Sequence, residues 1–231
     1  MRVFITHDPP GPQWQLGSPS PELGAFALIG WDSDEVEGGV PERIVNVLAG
    51  SLAAFGRVTF ACSTVSAPDT PGWQLQGSDF IARYRTRSVL DRIAARFSVR
   101  APGDLVLLST TREHAVRRLF DDAGYPWWNQ AQFALISSAG EPSPDFDKIA
   151  FDPAALFERE WSDGFGSLRR LGVQAILRPG VDGDVAGLLC ASSELRNRFE
   201  AILSRCAENF GMSLQYLSEA EFAESLASSA S

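Results

Sequence analysis

VQAILRPGVDGDVAGLLC, residues 173–190, and the continuation ASSELRNRFEAILSRCAENFGMSLQY, residues 191–216, decide the fold class. The apolar runs 173–177 and 185–190 flank Asp182-Gly183, a pair suited to the positive φ angles of a tight turn, and Pro179-Gly180 lengthens the connection. They predict an antiparallel strand pair. In 193–210, Leu195, Phe199, Ile202, Cys206 and Phe210 recur on one side of a helix, and Gly211 ends it. Residues 213–217 form a further strand. Ser218 with Glu221 three positions later has the form of a capping box, which opens a last helix whose tail, 227–231, frays.

The same rhythm recurs upstream. Residues 132–137 read as a strand, and so does 104–109, a short apolar run between Pro102-Gly103 and Thr110-Thr111. Thr110 with Glu113 is a second capping-box pattern, with Val116, Leu119, Phe120 and Ala123 inward and Gly124 as the stop. The spacing predicts a helix over 78–97 with a bend near Thr86, and Asp152-Pro153 opens another that buries Leu156, Phe157 and Trp161. Nearer the N-terminus, 2–6, 25–32 and 57–65 read as strands. Between the last two, Pro41 starts a helix with Ile44, Val45, Leu48, Leu52 and Phe55 on one side, stopped by Gly56. Five prolines between Asp8 and Pro21 make that stretch a surface loop, and 67–77, carrying Trp73, is a second one.

Helices alternating with strands, and at least one hairpin, imply an α/β or α+β protein with a mixed, partly antiparallel sheet covered by amphipathic helices. A chain of 231 residues, 45% hydrophobic and 21% charged, fits one globular domain over 1–231, with a subdomain joint at 138–150 where Pro142 and Pro144 lie. Cys62, Cys190 and Cys206 are odd in number and form no CxxC. That pattern argues against a disulfide framework or zinc site and for buried thiols in a reducing, cytoplasmic setting. The N-terminus enters a strand directly, without a basic and apolar leader. No apolar run approaches the ~18 residues of a membrane span.

Charge is uneven: residues 1–77 sum to −5, 78–130 to +3 and 131–231 to −7, giving the net −9. Nine arginines lie between Arg83 and Arg118. At helical spacing they form no single stripe, and an overall pI near 4.8 repels a polyanion, so nucleic acid is not an expected partner. These arginines pair with the acidic blocks on either side or grip a carboxylate or phosphate of a small ligand.

Candidate chemistry is sparse. His7 and His114 are the two histidines, and no GxSxG elbow accompanies them. His7-Asp8 ends the first strand, where neighbouring side chains point to opposite sides and would not chelate one metal unless the loop turned sharply, so His7 reads as a hydrogen-bonded loop histidine, with a catalytic or ligand role as the alternative. His114 reads as a surface helix residue. Asp32, Asp34, Glu35 and Glu37 are the densest acidic run, and Asp182 and Asp184 a smaller one; neither has the spacing of a metal loop, so both read as solvated turns and no metal is expected. Residues 164–170, GFGSLRR, lack the pattern of a phosphate loop, and no cofactor is expected. Tyr125, Trp127 and Trp128, with Asn129 and Gln130, form the most unusual local run, suited either to packing one ring on the core with the other over a sheet edge or to a stacking platform or protein-binding anchor.

Three functions fit. An acidic chain with aromatic loops and no catalytic set suits a protein-binding module that docks on a basic partner, through Asp32, Asp34, Glu35 and Glu37 for steering and Tyr125, Trp127 and Trp128 for buried contact. Bacterial immunity proteins, which neutralise toxins, are similar in this general character, an analogy of class and not of motif. The alternatives are a small-molecule enzyme with a pocket near His7 and Asp32, and a non-catalytic assembly subunit.

Overall fold

A computed structural model of the chain describes residues 2–8, 24–31, 42–63, 81–85, 105–122, 133–138, 165, 166, 168–170, 172–179 and 185–229. The elements in chain order are β1 (Arg2–Thr6), β2 (Ala25–Trp31), α1 (Glu42–Phe55), β3 (Arg57–Ser63), β4 (Ile81–Arg85), β5 (Leu105–Thr110) and α2 (Glu113–Asp122). They continue with β6 (Phe133–Ser137), β7 (Val173–Pro179), β8 (Val185–Cys190), α3 (Ser193–Asn209), β9 (Ser213–Tyr216) and α4 (Glu219–Ser229). The strands form one sheet in the order β4-β5-β3-β6-β7-β8-β2-β1-β9. All neighbours are antiparallel except β1 and β9, so this is an α+β fold with a mixed sheet.

The segment 173–216 builds one end of the sheet. β7 and β8 pair antiparallel with Ile176 opposite Leu189. The chain then turns into α3, where Ser192 accepts a hydrogen bond from the Leu195 N–H at 3.3 Å as the N-cap. At the other end Gly211, at φ 70°, lets the Met212 N–H reach Ala207 O and the Gly211 N–H reach Glu208 O, the paired closure of a Schellman motif. Met212 is buried there and aims the chain into β9.

Strand alternation sorts the core into two layers. Val3, Ile5, Ala27, Ile29, Trp31, Leu188 and Cys190 lie with α1 and α3 in one cluster. Phe4, Phe26, Leu28, Leu189, Phe165 and Leu168 lie with Phe222 and Leu226 of α4 in the other. Covered on both sides, β2 and β8 are buried at every position and read as unbroken apolar runs. Gly30 is where α4 touches β2, since a Cβ there would stand 2.6 Å from the Phe222 ring. Gly56 does more than stop α1: a Cβ would stand 2.2 Å from Ser137 O, so only glycine lets the backbone pass β6 this closely.

The structure corrects four expectations. Residues 81–85 form a strand and not the start of a helix over 78–97, because their backbone pairs with β5, a tertiary choice that helical spacing does not register. Thr110 does not cap α2: it ends β5 and accepts from the Arg112 N–H at 3.1 Å, while Arg112 O receives the first helical bonds from Ala115 and Val116. Phe210 is exposed, because it is the C-cap of α3 and has left helical geometry. Helix α4 continues to Ser229, beyond the point where fraying is expected at Ala227. The strands on either side of 138–150, β6 and β7, are neighbours in the sheet. Among the described residues no helix is long and apolar enough to cross a membrane.

Candidate functional site

Where β1 ends, β9 runs beside it and α3 lies across both, a carboxylate is held inside the protein. Glu200, only 4% exposed, shares one line of α3 with Arg196, Leu203 and Ala207, the last two fully buried. Its Oε1 accepts from His7 Nε2 at 2.8 Å and faces Arg196 Nε at 3.5 Å; its Oε2 accepts from the Tyr216 hydroxyl at 3.1 Å. Arg196 also reaches back to Phe26 O at 3.4 Å. A buried carboxylate thereby meets a guanidinium and two ring donors, the form in which an interior charge is tolerated.

The same charge acts on its neighbours. Burial and then Glu200 push the Cys190 thiol up to about 12, with Arg196 opposing. Burial, the Glu200 charge and the hydrogen bond to Glu200 raise Tyr216, again against Arg196. Glu200 is thus engaged by three side chains and holds both the His7 and the Tyr216 ring. What reaches solvent is the His7 imidazole, 37% exposed, and Tyr216, 59% exposed, their rings edge to face with centroids 5.8 Å apart.

His7 and Asp8 diverge, as extended neighbours do. Asp8 Oδ2 accepts from the Glu219 N–H at 2.8 Å at the opening of α4, and the Leu217 N–H reaches Ile5 O at 2.8 Å. Ser218 and Glu221 form the expected capping box: the Ser218 N–H donates to Glu221 Oε2 at 2.9 Å and the Glu221 N–H to Ser218 Oγ at 3.5 Å. The Ser218 hydroxyl, which donates to Glu221 Oε2 at 2.7 Å, and then the Ser218 N–H hold the exposed Glu221 carboxyl below its ordinary range.

Among the described residues β9 is the last strand of the sheet, with β1 as its one neighbour. The inward bond of Leu217 sets its alternation, so that Ser213, Gln215 and Leu217 turn their N–H and C=O toward β1 and Leu214 and Tyr216 turn theirs outward. Every residue of β9 is exposed or half-buried, whereas Val3, Phe4, Ile5 and Thr6 of β1 are buried.

His7 is the one weighed site residue that the structure brings into this cluster. Asp32, Asp34, Glu35, Glu37, Tyr125, Trp127 and Trp128 lie outside the described residues. Trp31, to which Asp32 is joined, is buried and stands opposite Val3, four residues along β1 from His7, a separation of about 13 Å. His114 is exposed, and Arg117 of the arginine-rich stretch donates to Glu42 Oε1 at 2.6 Å, a surface pairing of α2 with the first acidic block. Glu200, Tyr216 and Arg196 escaped sequence reasoning. Their signal was an acid in line with Leu203 and Ala207, an arc turned away from the one marked by Leu195, Ile202 and Cys206. No family model, curated protein or solved structure matches the chain.

Proposed function

We propose that the chain is a protein-binding module of the immunity or inhibitor kind, which docks on a basic protein partner such as a toxin and neutralises it. The observation that carries this reading is the charge: 29 acidic against 20 basic side chains, with Glu194, Glu208, Glu221 and Glu224 exposed on α3 and α4. Such a surface attracts a cationic protein and speeds encounter, while aromatic groups close the contact. Tyr216 supports it, because an exposed ring already fixed by Glu200 loses little freedom on binding. In this reading Asp32, Asp34, Glu35 and Glu37 steer the partner, and Tyr125, Trp127 and Trp128 anchor it. The test is affinity capture from the native cytoplasm at low and high salt. Recovery of one abundant basic protein, weakened by salt, is the expected result; recovery of a tightly held metabolite instead overturns the reading.

A further inference from the structure

We propose that the outer edge of β9 is where an extended cationic segment of the partner docks, adding a tenth strand to the sheet through the outward N–H and C=O groups of Leu214 and Tyr216. The inference rests on the protein-binding reading and names the mode of contact. Sheet edges are ordinarily blunted by proline, lysine, a bulge or a covering loop. β9, with the sequence SLQY, is short at four residues but contains neither proline nor charge, pairs with β1 without a shift in register, and among the described residues has no strand on its outer side. Its outward groups repeat every second residue, about 6.8 Å apart, the spacing at which an incoming strand exchanges hydrogen bonds. Tyr216, pinned by Glu200 and edge-on to His7, stands at the end of that row as a preorganised aromatic anchor.

Charge chooses the occupant. From Cys206 to Ser231 the chain carries Glu208, Glu219, Glu221 and Glu224 and no lysine or arginine. Among the described residues Glu219 and Glu224 have no cation paired with them. A second copy pairing β9 to β9 would bring both sets of glutamates together, whereas a strand of alternating lysine and apolar residues would be drawn in.

The probe is a short peptide of alternating Lys and Val, titrated onto the full chain, alongside the same peptide N-methylated at every second amide. N-methylation keeps the charge and removes the donors that would face β9. The expected result is saturable binding of the first peptide, about tenfold or more weaker binding of the second, and new hydrogen-exchange protection at the Leu214 and Tyr216 amides. Leu214→Pro, which deletes an outward donor and also a side chain packed on the core, weakens the first peptide similarly, whereas Leu214→Ala, which loses the same packing but keeps the donor, does not. Equal binding of both peptides, or no binding of either, overturns the edge as the site and leaves the wider reading to its own test by capture. Protection of these amides that depends on protein concentration without peptide assigns the edge to self-association and also overturns the proposal.

Discussion

His7 Nε2 donates to Glu200 Oε1 across 2.8 Å and 193 positions of sequence, fastening the exit of the first strand to the middle of α3. Through Tyr216 the same carboxylate fastens the outermost strand. One buried charge thus organises the edge of the sheet.

Removing that charge strands its partners. Glu200→Ala is expected to destabilise the fold by about 1–3 kcal/mol, short of a fully buried pair because His7 stays partly in water. Tyr216→Phe costs about 1 kcal/mol. Urea unfolding of the two variants and their double mutant measures the coupling, which should be non-additive; simple additivity contradicts a shared network.

The contact of Gly30 with the Phe222 ring makes a size-matched test of where α4 docks. Gly30→Ala should cost about 1–3 kcal/mol by overpacking, and adding Phe222→Leu should recover part of that loss. If the second change only adds its own cost, the helix is not seated on β2 as described.

Cys190 should resist alkylation. With a thiol at about 12, roughly one in ten thousand is ionised at pH 8, so mass-spectrometric mapping should find Cys190 modified far more slowly than the half-buried Cys206. Because the folded thiol holds its proton more tightly than the ordinary 9.0, the stability it contributes is complete below pH 9 and is lost as pH rises toward 12. Tyr216, also raised, acts in the same alkaline direction. Urea midpoints of wild type and Cys190→Ala should therefore converge as pH climbs above 9.

Glu221 has the opposite sign. Its folded carboxyl is held low by Ser218, so its contribution is present above the ordinary carboxylate value of 4.5 and disappears as pH falls through the lower folded value. Glu221→Gln should flatten the acid loss of protection in the first turn of α4, measured by hydrogen exchange. An unchanged acid profile would mean that the capping box does not hold the helix.

Local patterns made most of the elements legible. The β7 and β8 runs, the Gly211 stop and the Ser218-Glu221 box all depend on residues close in sequence, and each stands where its chemistry put it. β4 was hidden because its reason for being a strand is β5, twenty or more residues away. Glu200 was hidden for a similar reason: an acid on an inward line is intelligible only once His7 and Tyr216 arrive from elsewhere in the sheet. Only His7 of that cluster was visible beforehand, through its position at a strand end.

The most direct measurement is the association rate of the captured basic protein with wild type and with Asp32→Lys/Asp34→Lys/Glu35→Lys across a salt series. The expected result is slower association for the variant at low salt, the gap closing as salt rises, while Trp127→Ala or Trp128→Ala speeds dissociation instead. Unchanged affinity in both sets at every salt concentration would contradict the claim that an anionic surface with aromatic anchors is what the partner meets.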